Sequence, residues 1–321
     1  MENIILLADK NSDSWDFAEK IQDYIRSKKG IEISLKEVIF KKFRNGEIKP
    51  KVLDNVRKKD VYFIHDSNKN PQEWWTELIL LKDLLLSSSV ESISFILPDM
   101  YYSRQDRKDE PHVPISARAV AKTISSGVKR IITMDLHSSQ IQGFYPENIP
   151  FDTLESFQTV VSYLKENKPN ECSGDLVVCS PDAGGTKRAG KFANKLQSKY
   201  PVAFIDKKRD PITNEIIEMR LSGDVQDKDV LIVDDLIDSG GTLIDGAKLL
   251  KEKGAKKLFC YGTHGLFTEG AEKICNVFER IMTSNTHQQT DKSIEIIDVS
   301  GVFAEAIYRA QKGESISELF K

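Results

Sequence analysis

Eight short apolar runs punctuate the chain, each ending in a polar or glycine-rich turn: NIILLAD, DVYFIHD, SISFILPD, RIITMDLH, LVVCSPDAGG, VAFIDKKR, DVLIVDD and KLFCYGTHG. Runs of four or five consecutive apolar residues suit strands buried on both faces, as in a parallel sheet; a half-solvated strand would alternate instead. Helical patterns lie between several of them. In SDSWDFAEKIQDYI, Phe17, Ile21 and Ile25 recur four apart, with Ser12 or Asp13 placed to cap the N-terminus. In TLIDGAKLLKEKG, Leu243, Ala247 and Leu250 share one side and Gly254 marks the stop. LILLKDLLL at 78–86 is too short to span a bilayer and carries Lys82 and Asp83, so it reads as a core helix. Strands alternating with helices predict an α/β fold with right-handed crossovers.

At 321 residues the chain exceeds one ordinary core. FYPENIPFDTLES at 144–156, with its two prolines, is the best boundary, giving domains at 1–154 and 155–304. The closing segment, 305–321, reads as a helix that folds back on the first domain. With 46 basic against 49 acidic residues the net charge is −3, so nothing suggests a nucleic-acid coat. The four cysteines, Cys172, Cys179, Cys260 and Cys275, form no metal-binding spacing; Cys179 and Cys260 lie in apolar runs and read as buried thiols. MENIILLADKNSD lacks the basic region and long apolar stretch of a signal peptide, so a reduced, cytoplasmic setting without membrane partners is expected.

In open α/β sheets, ligands bind beyond the carboxyl ends of the strands. The residues found there are Asp99; Asp135 and His137; Asp182 with Gly184 and Gly185; Lys207 and Arg209; Asp234 and Asp235; and His264. VLIVDDLIDSGGT at 230–242 is the most specific of these stretches. Asp238, Ser239, Gly240, Gly241 and Thr242 enter the Leu243 helix, where free amides and hydroxyls can hold a phosphate. No lysine follows Gly241, so this is not a P-loop. Asp234 and Asp235 come earlier, at the expected strand tip, where they can accept hydrogen bonds from hydroxyls. Acids for hydroxyls and amides for phosphate together describe a sugar phosphate. A glycine pair alone would be no more than an N-cap.

VLIVDDLIDSGGT resembles the phosphoribosyl-diphosphate motif shared by phosphoribosyltransferases and ribose-phosphate diphosphokinases. SRQDRK (103–108), PISARAVA (114–121), MDLHSSQIQGF (134–144), CSPDAGGTKRAGKFA (179–193), IDKKR (205–209) and THGLF (263–267) occur in the order found in the diphosphokinases. The resemblance runs from FRNGE at 43–47 to the AEAIYRAQKGESISELF tail. It implies two phosphoribosyltransferase-type domains, each a mostly parallel sheet flanked by helices. It also implies transfer of the β,γ-diphosphoryl group of ATP to the C1 hydroxyl of ribose 5-phosphate, with Mg²⁺, for nucleotide biosynthesis.

Residue by residue, the resemblance assigns Asp234 and Asp235 to the ribose hydroxyls and Asp238, Ser239, Gly240, Gly241 and Thr242 to the 5-phosphate. Asp182, Ala183, Gly184 and Gly185 would cradle the transferred diphosphate. Lys207 and Arg209 match the catalytic basic pair, expected on a segment running into a loop at 210–220. Arg104, Gln105, Arg107 and Lys108 would contact ATP, while Phe43, Asn45 and Glu47 match an adenine loop that reaches into a neighbouring subunit. A homo-oligomer, dimer or hexamer, with a shared ATP site is therefore implied. His137 and Asp182 match the magnesium positions, although magnesium's preference for oxygen would not by itself select a histidine. For Phe43, core aromatic and adenine stack stand about even on residue type alone.

A phosphoribosyltransferase would not need SRQDRK or FRNGE, and a non-catalytic relative would be expected to lack some of Lys207, Arg209, Asp182, Asp234 and Asp235, all of which are present. The chain departs from the family pattern at Asp99 and Met100, at Trp74 and Trp75, and at Asp109 and Glu110. The last two place negative charge in the loop that family members use for phosphate activation and ADP inhibition, and like charge weakens anion binding. Steady-state assays across phosphate and ADP concentrations are expected to show altered activation or inhibition. Ordinary strong phosphate activation with cooperative ADP inhibition would refute this.

Overall fold

A computed structural model describes residues 3–168, 176–209 and 216–320, with the Arg209 and Ile216 side chains outside that description. The chain divides into two compact units, Met1–Glu155 with Thr286–Gln288 and Val299–Lys321, and Ser156–Asn285 with Gln289–Asp298. In the first unit, β1 (Ile4–Asp9), α1 (Ser14–Lys29), β2 (Ser34–Lys42), β3 (Ile48–Val52), β4 (Asp60–Ile64) and α2 (Pro71–Ser87) come first. They are followed by β5 (Ser92–Leu97), α3 (Ser116–Ser125), β6 (Arg130–Met134) and β7 (Phe151–Leu154). The second unit opens with α4 (Phe157–Asn167), β8 (Leu176–Ser180), α5 (Thr186–Leu196), β9 (Ala203–Arg209), β10 (Ile216–Ser222), β11 (Asp229–Ile237) and α6 (Gly241–Glu252). It continues with β12 (Leu258–Gly265), α7 (Glu272–Cys275), β13 (Arg280–Ser284) and β14 (Ile294–Ile297), after which α8 (Ser300–Lys312) belongs to the first unit.

Both sheets are seven-stranded, in the orders β3-β2-β1-β4-β5-β6-β7 and β10-β9-β8-β11-β12-β13-β14. Within the described residues the strands pair in parallel except for the edge hairpins β2–β3 and β9–β10. The reason for the uninterrupted apolar runs is visible in β1. Ile5 and Leu7 enter a core with α2 and α3, whereas Ile4, Leu6 and Ala8 enter another with α1 and α8. β11 does the same, with Val230 and Ile232 on one side and Leu231 and Val233 on the other. Because successive strand side chains point to opposite faces, a strand covered twice must be apolar at every position.

Several local expectations need adjustment. Asp13 stands at the α1 N-cap, but its side chain makes no capping hydrogen bond. FDTL, within the stretch read as a boundary, is β7 of the first sheet. Lys207 and Arg209 lie within β9, and 216–220 of the expected loop belong to β10. Residues 210–215 and Cys172 lie outside the described residues. Backbone pairing with β10 draws the basic segment into the sheet despite its charge, since each strand's amides and carbonyls complete the other's. LILLKDLLL forms the C-terminal half of α2, and Cys179 and Cys260 are fully buried free thiols, Cys179 pushed up to about 12 by burial. No helix among the described residues is long and apolar enough to cross a membrane.

Trp74, on α2, is the largest fully buried side chain and packs with Leu78, Leu81 and Leu85. Its ring lies parallel to His65 at 5.8 Å, and its indole nitrogen is buried without a hydrogen-bond acceptor. Trp74→Ala should destabilise the first unit by about 3–5 kcal/mol through the cavity it leaves. Trp74→Phe should cost less than half as much, since it also removes the orphaned donor. Urea unfolding of the two variants checks the ranking.

Candidate active site

The second sheet changes winding direction between β8 and β11, which are neighbours although three strands apart in sequence order. Such a switch point leaves a crevice at the strand carboxyl ends, where the two following loops diverge. Those loops are 181–185, leading into α5, and 238–240, leading into α6. Lys207 is on β9, which pairs with β8 on its other side. The fold thus brings the second-unit candidates onto three adjacent strands, β9-β8-β11.

After β8 the chain turns on Asp182. Its Oδ1 accepts from the Gly185 amide at 2.8 Å, and Ser180 Oγ donates to the Asp182 carbonyl at 2.7 Å. A Cβ on Gly185 would approach Ser180 Oγ to 2.5 Å, so this turn admits only glycine there without rearrangement. Asp182, Ala183 and Gly184 are exposed, presenting the turn to solvent. Beyond β11, Gly240 has φ +81° and a Cβ there would meet Ile274 Cδ1 at 2.3 Å. Gly240 occupies the α6 N-cap with no side chain over the helix start, so the first-turn amides at Gly241 and Thr242 are left for another acceptor. Asp238 Oδ1 accepts from Thr268 Oγ1 at 2.7 Å, which braces the turn; Thr268 carried no motif signal.

Asp234 and Asp235 are not at the strand tip. β11 runs on to Ile237, because its parallel pairing with β12 continues as far as Ile237↔Gly265. The two carboxylates are instead gathered around Arg188, whose guanidinium donates to Asp235 Oδ1 at 3.0 Å and lies 3.5 Å from Asp234 Oδ1. Arg188, on α5, stands inside CSPDAGGTKRAGKFA but was not singled out in the sequence. The usable signal was the adjacent acids themselves, since buried carboxylates require a countercharge. Burial, and next the charge of Asp235, hold the Asp234 carboxyl well above the usual carboxylate range, with Arg188 pulling the other way.

Lys207 shares a strand face with the buried Ala203 and Ile205, while Asp206 and Lys208 face solvent. Ile205 Cδ1 would be 2.9 Å from a Cβ on Gly246, so this is the face covered by α6. Lys207 Nζ is buried, close enough to the Cys179 thiol to oppose its upward shift.

In the first unit, FRNGE is the turn of the β2–β3 hairpin. Phe43 donates its amide to the Glu47 carbonyl at 2.8 Å, Asn45 Oδ1 accepts from the Glu47 amide at 3.2 Å, and Gly46 has φ +91°. Phe43 is 42% exposed, which removes the core-aromatic reading. Arg104, Gln105, Arg107 and Lys108 are exposed on the segment after β5, where Gln105 Oε1 accepts from Ser116 Oγ at 2.5 Å. His137 is exposed after β6, two residues past Asp135, whose φ of +39° marks the bend. His287, absent from the sequence reading, is buried in this unit with Nε2 2.9 Å from Asp99 Oδ2 and Nδ1 2.9 Å from Asn68 Oδ1.

The raised Asp234 carboxyl has a stability consequence. A carboxyl whose folded pKa exceeds its unfolded one contributes stability below the unfolded value, near 4, and loses it as pH rises through the folded value. Asp234→Asn removes that loss while Asp235 keeps its bond to Arg188. Relative to wild type, its melting temperature should therefore rise progressively from acid to neutral pH, by on the order of 2–4 °C for each kcal/mol relieved. A pH-independent difference in thermal melts would contradict the burial argument.

Residues 6–127 match the family model described as the N-terminal domain of ribose phosphate pyrophosphokinase, and residues 203–321 match the one described as the phosphoribosyl synthetase-associated domain. Ribose-phosphate pyrophosphokinase 2 of Schizosaccharomyces pombe is 40% identical over 298 residues, covering 90% of this chain and 91% of the relative. Ribose-phosphate pyrophosphokinase of Chlorobaculum tepidum is 39% identical, covering 87% of this chain and 85% of the relative. The crystal structure of phosphoribosylpyrophosphate synthetase from Mycobacterium smegmatis superposes with a TM-score of 0.82 at 29% identity, covering 97% and 99% of the two chains. Matched in both of its units and along nearly its whole length, the chain belongs to the ribose-phosphate pyrophosphokinase family.

Proposed function

We propose that this chain is a working ribose-phosphate diphosphokinase, with the first domain supplying ATP-binding segments and the second the ribose 5-phosphate site. The observation that carries the reading is the end of β11, where a carboxylate pair and a glycine-opened helix start lie within eight residues. In the proposed complex, Asp234 and Asp235 accept from the ribose hydroxyls. The amides and hydroxyls of Asp238, Ser239, Gly240, Gly241 and Thr242 hold the 5-phosphate. Arg188 holds the acids in place and opposes the upward push that burial and the Asp235 charge put on Asp234.

The reaction joins the C1 hydroxyl oxygen to the β-phosphorus of ATP and breaks the bond from that phosphorus to the α,β-bridging oxygen. AMP leaves with the bridging oxygen, and the hydroxyl proton is released. Such a transfer depends on alignment and charge neutralisation rather than covalent help. The turn at Asp182, Ala183, Gly184 and Gly185 suits the diphosphate because its glycines permit close approach of the backbone. Lys207 and Arg209 would stabilise charge on the transferring oxygens, a role that needs cations and not bases.

Mg²⁺ fits the donor chemistry. Asp182 is exposed and uses one oxygen on the Gly185 amide, leaving the other for a hard cation that retains water and phosphate ligands. His137 is the second position implied by the resemblance. When bound, Mg²⁺ would neutralise the phosphate oxygens. Phe43, exposed at a hairpin tip with Asn45 and Glu47, suits an adenine stack, and its projection supports a homo-oligomer with a shared ATP site. Arg104, Gln105, Arg107 and Lys108 would meet the nucleotide. A reduced cytoplasmic setting suits the free buried thiols.

Purified protein should release AMP from ATP only when ribose 5-phosphate and Mg²⁺ are both present. Lys207→Ala should lower turnover by at least about a hundredfold with little change in either KM, the pattern of a group acting mainly in the transition state. AMP release that ignores ribose 5-phosphate, or a fully active Lys207→Ala, would defeat the assignment.

A further inference from the structure

The two sheets share one topology. The first switches winding between β1 and β4 as the second does between β8 and β11, and the β2–β3 hairpin corresponds to β9–β10. By that equivalence the 65–70 turn between β4 and α2 corresponds to the proposed phosphate loop between β11 and α6. It contains no glycine and is closed by its own side chains. Asn70 Oδ1 accepts from the Gln72 amide at 3.0 Å and so caps α2, while Asp66 Oδ1 accepts from the Asn68 amide at 2.8 Å. Lys69 Nζ lies 3.3 Å from Glu77 Oε1 and 3.4 Å from Asp9 Oδ2, an internal cation against two buried carboxylates. Burial pushes the Glu77 carboxyl up to about 7, against the pull of Lys69.

This cluster supports the hairpin. β2 pairs with β1 only as far as Asp9↔Val38, whereas Ile39 to Lys42 pair with β3 alone. The hairpin end therefore extends past its parent sheet and must be steadied from beneath. Lys69 Nζ sits 5.8 Å from the centre of the Phe40 ring, within range of a cation–π contact. Phe40 in turn lies against Phe63 at 6.2 Å and stacks on His65 at 6.4 Å. His65 Nε2 is 3.1 Å from the Trp74 carbonyl and 3.7 Å from Glu77 Oε2, while Lys42 pairs with Glu73 on the same helix. Lys69 is thus the point at which β1, α2 and the hairpin root meet.

We propose that Lys69, held by Asp9 and Glu77 beneath Phe40, is a positioning residue that sets the direction of the β2–β3 hairpin and thereby the affinity for the adenine ring of ATP. The inference rests on the assignment of Phe43, Asn45 and Glu47 to adenine. A phosphate loop's place in the fold has here been turned into a bracket for a nucleotide-binding arm.

The test compares wild type, Lys69→Met, Lys69→Arg and Phe40→Leu by AMP release at varied ATP and ribose 5-phosphate, with hydrogen exchange over 39–49. Lys69→Met should raise the KM for ATP about tenfold, leave kcat and the KM for ribose 5-phosphate within about twofold, and speed exchange in the hairpin. Lys69→Arg should recover most of the loss, and Phe40→Leu should give the same split more weakly. If Lys69→Met does not fold, Phe40→Leu carries the comparison. An unchanged KM for ATP in these variants overturns the proposal, as does a lower kcat with both KM values constant, the mark of an ordinary core lysine. Should wild type release no AMP, the adenine assignment fails instead; unchanged hairpin exchange would then refute the bracket independently.

Discussion

Two-sided burial of the central strands is the constraint on which the rest of this molecule depends. β1, β4, β8 and β12 are buried at every position, and their buried carboxylates, serine, threonine and histidine (Asp9, Asp60, Ser180, Thr263 and His264) stand toward the strand ends. Chemistry is pushed to the strand ends, and parallel pairing puts the carboxyl ends of neighbouring strands side by side. The glycine turn after β8, the acids late in β11 and Lys207 late in β9 come together for that reason. Their proximity follows from the sheet's topology and owes nothing to their spacing in sequence.

Within that frame the second unit concentrates unfavourable charge. Asp234 and Asp235 are adjacent and sheltered from water, an arrangement that burial and mutual repulsion both oppose. Arg188 offsets it from α5, joining the α5 and β11 sides of the crevice through one guanidinium. If these acids are the proposed ribose acceptors, they are held pre-aimed at a cost in stability, the usual exchange at functional sites. The first unit answers the same topological crevice differently, filling it with Lys69, Asp9 and Glu77.

Much of this was legible from residue types. Continuous apolar runs identified the buried strands because a doubly covered strand has no polar face, and VLIVDDLIDSGGT pointed to the proposed sugar-phosphate grip because acids and helix-start amides suit different ends of one ligand. Other features were misplaced or missed for equally physical reasons. Residues 216–220 were expected in a loop, whereas hydrogen bonds to β9 across the sheet make them strand. Phe43 was ambiguous because an aromatic side chain suits a core and a stacking surface equally well; its exposure at a hairpin tip removes the core reading.

The sequence alone determined the class of fold, the order of the strands' chemistry and the family, since these depend on periodicity and on motifs that are contiguous. The tertiary structure decided which charges neutralise which. Arg188 meets Asp234 and Asp235 across 46 and 47 residues, and Lys69 meets Asp9 across 60. Such pairings are set by strand order and register, and no local pattern encodes them.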